Sequence, residues 1–182
     1  MKAKWLIFPI SLIFACGCIT HKNTNSSNNV EKSDTTLLTE LNNDSLLDLL
    51  RSPKTIHMYE PYGLVADSVC AEDSICGYPI EFDHGVLNEQ YSNVLTFLIS
   101  NGEAYKQVTN KSRTNFYPDI IWELSNSDNK LYYLVSFSSR LIAIVDSQEQ
   151  WHFYDFLDLK QLLRIIQQLL PNNEYFNHQI EQ

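Results

Sequence analysis

The feature that most constrains the fold lies in the C-terminal third. Four runs, at residues 120–124, 131–137, 141–145 and 151–154, are rich in β-branched and aromatic side chains. Short polar stretches separate them: Ser125-Asn126-Ser127-Asp128-Asn129-Lys130, Ser138-Ser139-Arg140 and residues 146–150. Turns of this size join neighbours as hairpins. The spacing therefore predicts an antiparallel meander of three or four strands.

Helical periodicity flanks the meander. Residues 158–170 place Leu159, Leu162, Leu163, Ile166, Leu169 and Leu170 on one face before Pro171 stops the helix. Residues 86–100 align Leu87, Tyr91, Val94, Leu95 and Leu98, and Asn101-Gly102 ends that run. Leucines at 37, 38, 41, 46, 47, 49 and 50 are interrupted by Asn42-Asn43, which predicts two short helices, the second capped by Asp44 or Ser45. Residues 56–59, 63–69 and 78–82 are isolated strand candidates. Strands and helices without strict alternation argue an α+β class: one domain over residues 36–182, a three- to four-stranded meander packed against helices. That length supports a single core, and aromatics at 12% of the chain furnish it.

The N-terminus is of another kind. Lys2 and Lys4 precede Trp5-Leu6-Ile7-Phe8-Pro9-Ile10-Ser11-Leu12-Ile13-Phe14-Ala15, followed by Cys16-Gly17-Cys18. As a helix the apolar run reaches about 16 Å, half of a bilayer's hydrocarbon core, so it reads as an export signal rather than a retained span. Ile13-Phe14-Ala15-Cys16 resembles a bacterial lipobox. The resemblance implies a signal peptide at residues 1–15, a lipid (palmitate-type acyl) anchor on Cys16, and attachment to the membrane in the cell envelope. Cys18 is the alternative lipid site. Residues 19–34 have almost nothing to bury and are expected to remain a polar tether, so that residues 16–35 form anchor and spacer. A flexible tether of that length spans roughly 20–25 Å.

Asp followed by Ser or Thr and then an aliphatic residue or Thr occurs at Asp34-Thr35-Thr36, Asp44-Ser45-Leu46, Asp67-Ser68-Val69 and Asp73-Ser74-Ile75. This pattern resembles the O-glycosylation site of exported Bacteroidota proteins, and it makes Thr35, Ser45, Ser68 and Ser74 candidate sites. The same pairs also suit turns and helix caps. Cys70 and Cys76 enclose Ala-Glu-Asp-Ser-Ile, and in an oxidising compartment they are expected to form a structural disulfide. Redox motifs favour two intervening residues, and no histidine lies nearby at zinc-ligand spacing.

The formal charge of −9 becomes −11 once Lys2 and Lys4 leave with the signal. That disfavours nucleic acid as a partner and favours a basic protein. No catalytic motif stands out: His-Glu-x-x-His, Gly-x-Ser-x-Gly and a glycine-rich phosphate loop are all missing from the sequence. His57, His84, His152 and His178 are scattered. The densest ionisable cluster is Glu81, Asp83, His84 and Glu89, a candidate metal or acid–base site in which Asp83 also suits an N-cap for the helix after it. Asp155 and Asp158 suit the start of the last helix. Trp151, Phe153 and Tyr154 are candidate interface anchors or core residues. No cofactor and no metal are expected.

These features lean away from an enzyme and towards a lipid-anchored interaction protein of the envelope. The narrowest reading is a protein similar to immunity lipoproteins, which neutralise antibacterial toxins delivered into the periplasm. The alternatives are an accessory lipoprotein of an outer-membrane machine, a carboxylate-dependent envelope hydrolase using Asp83, His84 or Glu89, and a small-ligand binder with a pocket between sheet and helices.

Overall fold

The computed structural model describes residues 44–62, 74–108 and 116–179. The helix Asp44–Arg51 (α1) opens the described chain, and the strand Thr55–Pro61 (β1) follows it. Next come Ser74–Ile75 (β2), Tyr78–Val86 (β3), the helix Glu89–Ile99 (α2), a single 3₁₀ turn at Gly102–Ala104 and Tyr105–Gln107 (β4). The C-terminal third holds Ile120–Ser125 (β5), Lys130–Ser136 (β6), Leu141–Val145 (β7), Trp151–Phe156 (β8), Leu159–Leu169 (α3) and Glu174–His178 (α4). Among the described residues no helix is long and apolar enough to cross a membrane.

Among the described residues all the strands belong to one antiparallel sheet of eight, ordered β2-β3-β1-β5-β6-β7-β8-β4. This corrects the expected fold class. The meander β5-β6-β7-β8 exists, but it is the middle of a much larger sheet, with only short helices on it. Two of the strands that widen it were legible as isolated runs, β1 and β3. Their pairing was not, because β1 lies beside β5 (Met58 opposite Trp122) across a long stretch of chain. Strand β4 is only three residues long and pairs with β8, too short to show a period.

The second reason is burial on both faces. All five residues of β7 are buried, and β5 begins with three buried residues in succession. A strand covered on both sides reads as a continuous apolar run rather than an alternation. On the first face, the paired row Met58, Trp122, Tyr133 and Ile144 meets helix residues Leu49 and Leu50 of α1, Leu95 and Ile99 of α2, Leu162 and Ile166 of α3, and Phe176 of α4. On the second face, Ile121, Leu134 and Ala143 are covered by Phe116 and by the first half of β3. Tyr78 donates from its hydroxyl to the Phe116 carbonyl at 2.6 Å, and its ring meets Trp151 edge-on at 6.3 Å.

Strand β3 reaches that face because it is bulged twice. Its pairing with β1 skips His84 and then Glu81. Each extra residue bends the strand and increases its twist. Gly85, at φ 78°, takes the left-handed backbone of the first bulge. Cys76 and Gly77 both have positive φ and form the two-residue turn joining β2 to β3, a type I′ geometry suited to a twisted hairpin.

The helix expected from residue 86 begins instead at Glu89, and its N-cap is Asn88, whose side chain accepts from the Tyr91 N–H at 3.0 Å. Asp83 is therefore not the cap; it lies inside β3. Leu95, Leu98 and Ile99 form the buried stripe of α2, whereas Val94 is exposed. Helix α3 matches the span expected for residues 158–170 to one residue at each end, and the short α4 follows it. The N-cap of α3, Asp158, makes no side-chain bond to the helix backbone and instead accepts from the Gln161 side chain at 3.1 Å. Asp155 sits in β8, opposite Lys106.

Candidate functional site

The ionisable residues gather where β3, β1, β5 and β6 lie side by side. Strand alternation sends Ile56 and Met58 into the helix-side core and turns His57 and Tyr59 to the second face. Opposite His57 stands Glu123, and opposite Glu123 stands Tyr132. Opposite Tyr59, across the bulged strand, stands Asp83. Four strands thus bring His57, Tyr59, Asp83, Glu123, Tyr132 and Lys130 together.

Their contacts are specific. His57 Nε2 is hydrogen-bonded to Asp83 Oδ1, which also accepts from the Gly85 N–H at 2.8 Å. These two bonds hold the Asp83 carboxyl below the usual carboxylate range. The His57 ring stacks flat on Tyr59, with centroids 4.4 Å apart and planes 2° from parallel. Burial, helped by the nearby Glu123, Asp83 and Tyr132, pushes the Tyr59 hydroxyl up to about 12, so it is a neutral donor at any ordinary pH. Lys130 Nζ donates to the Tyr132 hydroxyl at 2.8 Å and stands 3.9 Å from Glu123. Burial pushes the Tyr132 hydroxyl above its ordinary value, and Glu123 adds to the rise while Lys130 opposes it.

A second set lies on the helix-bearing face. His84 Nε2 meets Glu60 Oε2 at 3.1 Å, and Glu60 Oε1 accepts from Asn173 Nδ2 at 3.0 Å. Nearby, Asp119 accepts from the Tyr175 hydroxyl at 2.7 Å and from the Phe137 N–H at 2.6 Å. These bonds fasten α4 to the sheet and read as structure rather than chemistry.

Asp119 carries a pH signature. Burial pushes its carboxyl above the ordinary value of 3.8, against the three donors that pull it down, and Glu60 adds to the rise. A group raised by folding contributes stability that is full below its unfolded value and lost as pH rises through its folded value. The unfolding free energy of the wild type minus that of Asp119→Asn is therefore expected to shrink from acid towards neutral pH. The substitution itself removes one acceptor, worth about 1–2 kcal/mol. Urea unfolding across pH checks both, and a difference that grows with pH contradicts the assignment. Asp83 has the opposite sign, since its contribution is present above 3.8 and lost as pH falls, but it is exposed and screened.

Asp83 and His84 do not converge, although they are neighbours in sequence. Asp83 joins His57 on one face and His84 joins Glu60 on the other, while Glu89 lies in the first turn of α2 and Glu81 is exposed in the second bulge. Among the described residues no group of three or more His, Cys, Asp or Glu side chains is placed to hold a metal ion. Tyr154 is buried in the helix-side core, its ring edge-on to Tyr105 at 5.5 Å. Trp151 and Phe153 stack at 5.8 Å against the second cluster, half-buried. Ser74 is exposed at the start of β2, and Ser45 falls in the first turn of α1. Cys16, Thr35, Ser68 and Cys70 lie outside the described residues, and with them the lipid anchor, two of the glycosylation candidates and the Cys70–Cys76 bridge.

Sequence reading missed His57, Tyr59, Glu123, Lys130 and Tyr132. The usable signal was alternation in β1 and at the start of β6, where polar side chains take every second position; Glu123 follows a continuous apolar run and carries no such signal. Comparison with known proteins yields no match: no family model fits the chain, and no curated protein and no solved structure matches it.

Proposed function

We propose that this chain is a lipid-anchored protein of the cell envelope that binds and neutralises a basic partner protein, in its narrowest form an immunity protein against a periplasm-delivered toxin. The N-terminal signal, the lipobox-like Ile13-Phe14-Ala15-Cys16 and the polar tether support the location. The observation that carries the binding reading is the stretch from Glu81 to Val86. There Phe82 and Val86 are 53% and 59% exposed, beside the exposed carboxylates of Glu81 and Asp83. Apolar anchors with a charged surround are what a protein interface is built from. An acidic surround steers a basic partner and makes association sensitive to salt.

The test is capture with the full chain, extracted from the envelope, against a variant carrying Phe82→Ser and Val86→Ser. One dominant basic partner is expected, bound at least tenfold more weakly by the variant, with toxicity that wild-type chain suppresses. Equal recovery of several resident outer-membrane proteins by both chains rejects the reading in favour of an accessory role in an envelope machine.

A further inference from the structure

We propose that the outer sides of α2 and α3 form a docking surface for an anionic phospholipid bilayer, on which Val94, Phe97 and Leu157 enter the headgroup layer and Lys160 and Arg164 meet lipid phosphates. This rests on the lipid-anchored reading above and adds how the domain sits on its membrane.

The fold brings the end of α2 and the start of α3 to one end of the sheet. The Tyr105 hydroxyl donates to the Ile99 carbonyl at the last residue of α2, and Tyr105 pairs with Phe156 at the end of β8. The next residue, Leu157, donates its N–H to the Ala104 carbonyl at 2.8 Å. Phe97 is 81% exposed, Leu157 71% and Val94 49%. Among the described residues Phe97 and Leu157 are the two barest large apolar side chains. Scattered singly, such residues are ordinary. Gathered at one end, on helices whose opposite stripes are already core, they make a patch that water alone does not explain.

Charge selects the occupant. Helix α3 carries Lys160 and Arg164, one turn apart and both exposed, and no carboxylate; α2 carries no charge after Glu89. Neither cation has a carboxylate partner among the described residues. At the border Asp158 accepts from Gln161, Asp155 lies opposite Lys106, and Glu103 is exposed, so the attraction is local and modest. Bare apolar side chains beside Lys and Arg are the make-up of a surface that lies in the headgroup layer. A basic partner protein is repelled by the same two cations, so it does not belong here.

The anchor supplies proximity. A tether of roughly 20–25 Å behind an acylated Cys16 keeps the domain at the bilayer, and docking becomes an intramolecular step for which a weak patch suffices. Strand β4, beside the patch, and β3 lie towards opposite ends of the strand order, so docking leaves Glu81 to Val86 open to the partner.

The experiment places the full chain, extracted from the envelope, on vesicles of phosphatidylethanolamine and phosphatidylglycerol with brominated acyl chains. Phe97→Trp puts a fluorophore on the patch, and the parent chain supplies the background from Trp122, which is fully buried, and Trp151, at the far end of β8. Bromine quenching of the added indole is expected. Adding Leu157→Ser is expected to cut that quenching about threefold, through the lost apolar contact. Lys160→Gln with Arg164→Gln, or vesicles of phosphatidylcholine alone, is expected to cut it about threefold as well. All four side chains are solvent-facing, so these changes spare the core. An unquenched indole overturns the proposal; if that chain still floats with the vesicles the anchor reading stands, and if it does not float that reading falls too. Quenching indifferent to Leu157→Ser or to lipid charge also overturns it. Loss of protein capture by a Phe97→Ser and Leu157→Ser chain, with no quenching in Phe97→Trp, assigns the patch to a protein instead.

Discussion

Trp122→Ala is expected to destabilise the chain by about 3–5 kcal/mol, a large share of what holds a domain of this size together. Trp122 is fully buried in β5, flanked across the sheet by Met58 and Tyr133, with the Tyr133 ring 6.0 Å away. It is the largest side chain in a core lined by helices on one side and sheet on the other, so the void has no easy route to collapse. Trp122→Phe separates volume from polarity. The indole Nε1 is buried with no hydrogen-bond partner among the described residues, so phenylalanine loses less than the volume change alone suggests. Urea unfolding reads both, with the midpoint moving and the slope held. A shift below about 1 kcal/mol for the alanine variant means that Trp122 does not sit in this core.

Phe176→Ala is the second large effect, again about 3–5 kcal/mol, and it is accompanied by release of α4. Five residues are too few to hold a helix by themselves. What holds this one is Phe176, 1% exposed and edge-on to Phe137 at 6.1 Å, and the two bonds from Asn173 to Glu60 and from Tyr175 to Asp119. Without the phenyl anchor the polar bonds cannot offset the ordering entropy of the segment, and Asp119 returns to water. Hydrogen exchange at Phe176 and Asn177 is expected to rise towards that of an open chain while β6 stays protected. Tyr175→Phe, which removes one bond and keeps the packing, is expected to cost only about 1–2 kcal/mol. Equal effects of the two variants mean that the latch is polar rather than apolar.

The parts of the fold that were legible in the sequence were local. Strands β5 to β8 announced themselves because each is a run of β-formers closed by a short polar turn, and α3 did so because its leucines recur at helical spacing up to Pro171. What was not legible depended on distance. Nothing near Ile56 or Met58 says that Leu124 and Trp122 will lie opposite them. Nothing near Tyr105 says that three residues will pair with β8. The two bulges of β3 also upset a local inference: Asp83 has the composition of an N-cap, but the strand runs three residues past it and Asn88 takes that role. The candidate site shows the same division. Asp83 stood out by the density of charge around it, whereas His57, Glu123 and Tyr132 come from three different strands and meet only through register.

The two ends of the sheet carry a consequence for the chain in the company of its own copies. A broad antiparallel sheet with a long straight border is a template on which a second molecule can grow, and then a third. Here one border among the described residues is β4, only three residues long, and the other is β2, only two, beside a β3 thrown out of step twice along its length. An incoming strand finds no stretch of even rhythm to copy. Crowding therefore presses these molecules together without giving them a way to polymerise.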